Sequence, residues 1–218
     1  MKRVGILPTL ILFLGVNMLK VIIATKNAGK AKEFVKMFEP YNIEVKTLLD
    51  FPDFAEIEET GKTFEENAIL KAETVCAQLG AMAVADDSGI MVDALDGRPG
   101  IYSARYAGVE KDDEANNDKL LEELKDVPDA ERTARYYCAL AFASPNHRTI
   151  TVNDTCEGVI ISERRGTNGF GYDPLFYLPE WGKTMAEITA QEKNEISHRA
   201  KALKKLEGHL PGFFQKEN

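Results

Sequence analysis

The stretch AVADDSGIMVDALDGRPGIYSARYAG, residues 83–108, decides the reading of this chain. A short apolar run, Ala83-Val84-Ala85, leads into two adjacent carboxylates, Asp86 and Asp87, and then Ser88-Gly89. The run predicts a buried strand, and Gly89 suggests a turn at its end, since glycine bends the backbone without a Cβ penalty. Carboxylates at the end of a buried strand are costly to desolvate unless a cation meets them. Mg²⁺ suits such oxygens, because it takes one or two carboxylates and leaves its other positions to water and substrate phosphates. The pattern therefore points to a metal and phosphate site. A solvated loop with an Asx-turn accounts equally for these four residues in isolation.

Working outward, strand-like and helix-like segments alternate, which predicts an α/β architecture. Residues 21–25 read as a strand. Asn27 then N-caps a helix whose Ala31, Phe34, Val35 and Phe38 fall on one face. A strand over 44–49 follows, then a loop carrying Glu56, Glu58 and Glu59. Thr63-Phe64-Glu65-Glu66 is a capping box, and Ala68, Ala72, Val75, Cys76 and Leu79 form the stripe behind it. On that helix Asn67 and Lys71 share one side at the margin of the apolar face. Lys71 can reach a cleft from there, or snorkel beside the core.

Beyond the central stretch, residues 112–124 predict a helix with Leu120, Leu121 and Leu124 inward. Residues 136–143 predict a strand covered on both faces, paired through Ser144-Pro145-Asn146 with a second strand over 149–161. The glycine-rich run GTNGFGYDPLFYLP, residues 166–179, offers Phe170 and Tyr172 as faces for a planar base, or else packs them inward around a turn. Thr184-Met185-Ala186-Glu187 repeats the capping-box pattern. It predicts a last helix with Ile196, Ala200 and Leu203 inward and Ser197-His198-Arg199 at its start.

The bulk numbers narrow the class. A chain of 218 residues with 44% hydrophobic content buries one sizeable core or a core with a second lobe. A net charge of −8 argues against a duplex nucleic-acid binder, so the cations for an anionic ligand must be local. Cys76, Cys138 and Cys156 are odd in number and widely spaced, without a disulfide or zinc pattern, which suggests a reducing cytoplasm. The first seventeen residues resemble a signal peptide in their basic start and apolar run but lack a cleavage site. They are expected to be a non-structural extension, with residues 18–218 forming one two-lobed domain. ATKNAGK is not a Walker loop, since Ala24 and Ala31 stand where that motif needs Gly and Ser or Thr. The amides at that helix start can still hold phosphate oxygens, with Lys30 as a point charge.

TKNAGK, EETGKTFEENAILKA, ADDSG, GRPGIYSARYAG, GFGYDP and EKNEISHR, in this order, resemble the inosine triphosphate pyrophosphatase family, the Ham1-like non-canonical purine nucleotide pyrophosphatases. The resemblance runs from Met18 to about Leu206. It implies an elongated mixed β-sheet flanked by helices in two lobes, an active site in the cleft between them, a homodimer, and hydrolysis of ITP, dITP and XTP to monophosphate and pyrophosphate with Mg²⁺. It assigns phosphate binding to Thr25, Lys26, Asn27, Ala28, Gly29, Lys30 and Lys71. Metal binding falls to Glu58 and Asp87, with Asp87 also the base that activates water and Ser88 touching the substrate. Base binding falls to Phe170, Gly171, Tyr172, Asp173, Lys193, His198 and Arg199. Asn168, Asn194 and Glu195 depart from the family's usual glycine and small residues.

The specificity so implied is chemically intelligible. Lys193 and Arg199 only donate hydrogen bonds, which suits a 6-oxo purine and not adenine. Guanine must then be refused at position 2. On this reading Arg199 matters to substrate choice more than to folding. The rival readings are a Maf-type pyrophosphatase acting on modified nucleotides, a non-catalytic nucleotide sensor, and a secreted protein.

Overall fold

In a computed structural model, residues 20–39 and 43–209 are described. The expected extension at residues 1–17 lies outside them. Seven strands form one mixed sheet in the order β2-β1-β3-β4-β5-β6-β7. Strand β1 (Lys20–Ile23) lies parallel to both β2 (Glu44–Thr47) and β3 (Met82–Val92). Strands β4 (Thr133–Ser144) and β5 (His147–Ile160) follow as an antiparallel hairpin, with β6 (Phe176–Leu178) and β7 (Lys183–Thr184) at the far edge. The fold is α/β, a mixed sheet flanked by helices, as expected.

The helices form where their caps and stripes predict. In α1 (Ala28–Phe38) the Asn27 side chain caps the start, and in α2 (Phe64–Leu79) Thr63 accepts the Glu66 N–H. Helix α3 (Asp113–Leu124) is capped by Asp112. Val35 lies off the buried face of α1 and is exposed. The C-terminal helix is two helices, α4 (Ala190–Ile196) and α5 (His198–Glu207), with Ser197 ending one and capping the other. The capping box that starts α4 is Thr189 with Glu192, not Thr184 with Glu187. Thr184 instead closes β7, and the Glu187 carboxylate accepts its N–H at 2.7 Å within a turn.

Strand β3 is longer than the sequence predicts, because DDSG does not end it. Its first half is buried between two apolar clusters. Ala83 and Ala85 face one with Ala68 and Val75 of α2, and Val84 faces the other with Phe34 of α1 and Leu203 of α5. Its second half carries Ile90 and Val92 into a third cluster with Leu120 and Leu124 of α3. Asp86, Asp87 and Ser88 occupy the interval between these cores. Gly89 does not turn the chain. A Cβ there would stand 2.4 Å from both the Gly100 carbonyl oxygen and the Ser103 Oγ, so the segment 100–105 packs against the strand only because Gly89 lacks one.

Candidate functional site

Alternation along β3 sends Asp86 and Asp87 to opposite faces of the sheet. Paired to β3 only as far as Ile23↔Val84, β1 leaves the sheet where the carboxylates begin. The carboxyl end of a parallel strand, where the neighbouring chain departs, is where α/β sheets take ligands. The turn from β1 into α1 stands there. Thr25 Oγ1 accepts the Asn27 N–H at 3.1 Å and Asn27 Oδ1 accepts the Lys30 N–H at 2.9 Å. Ala28 and Gly29 open the helix. Lys26 is turned aside, its Nζ donating to the Phe54 carbonyl oxygen at 2.6 Å and tethering the loop that bears the glutamates.

On one face Asp86 is neutralised several times over. Lys30 and Ser88 Oγ both bond it, and Arg199 Nε donates to it at 3.1 Å. Burial pushes the Asp86 carboxyl up, but Arg199 and Lys30 outweigh it and hold the group well below the usual carboxylate range. Arg199 is 2% exposed, and its other nitrogens meet Glu33 and, at 3.1 Å, Ser88 Oγ. Its donors are thus engaged within the protein, so Arg199 matters to folding as well as to the pocket it lines.

Beside this cluster lies a cleft lined by Phe170, Lys193, His198, Ser103 and Asp113 among others. Phe170 is half-buried, with Lys193 Nζ 4.8 Å from its ring centroid and Gly29 against its edge. Lys193 pairs with Asp173 at 2.7 Å and Glu33 at 3.1 Å. Asp173 also accepts from the Phe170 N–H at 3.0 Å and the Tyr136 hydroxyl at 3.1 Å, which pins the aromatic loop from below. Tyr172 also lines the cleft but is buried in the third core, with its hydroxyl donating to the Ser103 carbonyl at 2.8 Å, so of the two aromatics Phe170 is the more exposed. His198 stacks on Tyr136 with centroids 4.8 Å apart, and its Nδ1 is buried without a protein partner. Burial and the nearby Arg199 charge push its pKa well below the usual value, so the ring is neutral.

On the opposite face Asp87 meets Lys71 at 2.9 Å and Asn67 Nδ2 at 3.2 Å. Lys71 is buried, not snorkelling, and also pairs with Glu59 at 2.7 Å, which Arg105 approaches at 3.3 Å. Burial pulls the Lys71 pKa down, but Asp87 and Glu59 outweigh it and leave it raised. Burial raises Asp87 above the ordinary carboxylate value, and Lys71 and Lys30 only partly oppose it. Glu58, expected as the second metal ligand, is exposed, and Glu59 takes the place beside Lys71. Adjacent side chains on a chain without helical geometry point different ways, and spacing alone does not say which faces in.

Among the described residues no three His, Cys, Asp or Glu side chains gather closely enough to cage a metal. Mg²⁺ asks for less, one or two carboxylates completed by water and substrate phosphate. Asp87 and Glu59 are carboxylates of that kind, paired here with Lys71, and Glu58 adds an exposed one on the same loop. Glu33, Glu59, Asp113 and Asn117 are site-forming residues that sequence reasoning did not single out. The first, on α1, falls one residue before Phe34, and only the docking of α5 shows what it meets.

Comparisons with known proteins agree with this architecture. The Ham1 family model matches residues 21–209. A dITP/XTP pyrophosphatase of Bacillus cereus is 57% identical over 200 residues, covering 91% of this chain and 98% of that protein. One from Listeria monocytogenes is 61% identical over 199 residues, covering 91% and 98%. The Ham1 protein of Staphylococcus aureus superposes with a TM-score of 0.79 at 44% identity, covering 88% of this chain and 98% of that one. A HAM1 protein from Coxiella burnetii does so with a TM-score of 0.80 at 40% identity, covering 89% and 100%.

Proposed function

The chain belongs to the Ham1 family, and from that premise we propose that it hydrolyses dITP, ITP and XTP to the nucleoside monophosphate and pyrophosphate. The observation that carries this reading is the pairing of two clusters about β3 where β1 leaves it, a cleft lined by Phe170, Lys193 and His198 on one side and the basic and carboxylate cluster of Asp87, Lys71 and Glu59 on the other. The purine lies against Phe170. His198, neutral and unpartnered at Nδ1, donates from that nitrogen to the 6-oxo group in one of its two tautomers. Lys193 adds a second donor beside the ring. Adenine, with an amino group at position 6, leaves two donors facing each other, and such mismatches in a buried pocket separate substrates by roughly 10⁴.

The phosphates follow the α1 start, where backbone amides and Lys30 receive them. Asp87, held by Asn67 and raised in pKa, takes the proton from a water whose oxygen bonds to the α-phosphorus. The bond from that phosphorus to the bridging oxygen breaks, and pyrophosphate leaves with its charge met by Lys30 and Lys71. Mg²⁺ held by Asp87 and Glu59 would supply charge neutralisation on the phosphates. We further propose a homodimer in the cytoplasm. Free, buried Cys76, Cys138 and Cys156 suit a reducing compartment, and no helix among the described residues is long and apolar enough to cross a membrane.

Product analysis on dITP and dGTP in parallel, with and without Mg²⁺, tests this. Pyrophosphate from dITP with dGTP largely spared is expected. Orthophosphate release, or equal turnover of both, would overturn it.

A further inference from the structure

The first turns of α3 have no part in the chemistry above, yet they grip both walls of the ring cleft. The Gly171 peptide is held at both ends. Its N–H donates to Asp113 Oδ2 at 2.7 Å, and its carbonyl accepts from Asn117 Nδ2 at 3.0 Å. Between them Asn116 accepts from the Ala107 N–H at 2.7 Å and donates to the Ala104 carbonyl at 3.2 Å, which fixes the opposite wall. The Gly171 φ is +64°, and a Cβ there would meet nothing within 4 Å. Asp173 holds this turn from one side, its N–H donating to the Phe170 carbonyl at 3.3 Å and its carboxylate accepting the Phe170 N–H, and the two hydrogen bonds from α3 hold Gly171 from the other.

We propose that Asp113 and Asn117 are positioning residues which set the width of the ring slot and through it the discrimination between 6-oxo purines with and without a 2-amino group. The inference rests on the base site of the proposed function and extends it to an element that touches no phosphate. A buried acceptor without a partner is destabilising, and Asn117 Oδ1 is one, in a side chain 1% exposed. Helix α3 thus retains an asparagine whose visible gain is the bond to Gly171. Slots that rely on bound geometry lose heavily from small displacements, by as much as 10² for about 1 Å.

The experiment compares wild type with Asp113→Ala, Asp113→Asn and Asn117→Leu, measuring kcat and KM for dITP and dGTP, melting temperature, and IMP affinity by calorimetry. Asp113→Ala is expected to raise KM for dITP and weaken IMP about tenfold, with kcat falling less, and to narrow the dITP preference about tenfold. Asp113→Asn, whose amide oxygen still accepts the Gly171 N–H, should restore most of this. Asn117→Leu removes the orphan acceptor, so its melting temperature should equal or exceed wild type while the preference narrows. Unchanged KM and preference in both Asp113→Ala and Asn117→Leu would overturn the proposal, as would losses that merely track melting temperature. IMP binding separates the two readings. A wild type that binds IMP but releases no pyrophosphate from dITP defeats the pyrophosphatase reading while the variants still judge the slot, and one that binds no IMP defeats both.

Discussion

Asp86 and Asp87 are neighbours on one strand, yet they live in opposite electrostatic worlds. Asp86 faces α1 and α5, where Lys30 and Arg199 press its pKa well below the ordinary range. Asp87 faces α2, where burial leaves its pKa raised despite Lys71. Both are buried, so desolvation alone does not distinguish them. The difference lies in the cations. Asp86 is bonded by two cations, Lys30 and the forked guanidinium of Arg199, whereas Asp87 is bonded by Lys71 alone, which it shares with Glu59. One aspartate is thereby held ionised, and the other is left easier to protonate.

The largest test of this contrast is stability. Asp86→Ala leaves Arg199 with one of its two carboxylate partners in a buried site and should cost about 3–5 kcal/mol in urea unfolding, while Asp87→Ala should cost far less. Equal losses would break the comparison. Next comes activity. Asp87→Asn should lower kcat on dITP by about 10² or more with folding intact, and its acid limb, set in wild type by a carboxyl titrating above 3.8, should vanish from the pH–rate profile. Near-normal turnover would remove Asp87 from the reaction. A third test sharpens the role of the face that Asp87 shares. Gly89→Ala should cost about 1–3 kcal/mol by calorimetry, because the new methyl meets backbone and Ser103.

The smallest test is a pH dependence on the Asp86 face. His198 has a folded-state pKa well below 6.5, so the unfolded chain binds its proton first as pH falls. Its contribution is complete above 6.5 and is lost as pH drops below that value, by at most about 1.4 kcal/mol per pH unit. Asp86, depressed in the folded state, loses its contribution only below 3.8. Denaturation midpoints at pH 7 and 5 should therefore move closer together in His198→Gln, and an unchanged difference would contradict a buried neutral ring.

How legible the molecule was differs from part to part. The caps of α1 and α2 and the β4–β5 hairpin were readable because each rests on local chemistry: Asn27 and Thr63 accept amides a turn away, and Pro145-Asn146 interrupts two apolar runs. Thr184 misled because a Thr-x-x-Glu spacing bonds equally well within a turn closing a strand. The glycine of DDSG misled for a related reason. Glycine serves both where a chain bends and where another backbone comes close, and Gly89 is the second kind.

The sequence by itself determined the class of molecule: an α/β sheet with helices, a strand-to-helix turn at Asn27, paired acids and a glycine-rich aromatic loop, in the order shared with the Ham1 family. Each of these is a pattern of residue types within about twenty positions. Only the tertiary structure decided which acid meets which cation. Glu33 faces Lys193 and Arg199 across more than 150 residues, Glu59 rather than Glu58 turns toward Lys71, and Asp113 reaches Gly171 from another element. The physical reason is that a side chain's ionic partner is set by which elements pack together, and the periodicity that places an element in the core is blind to what its polar neighbours will meet there.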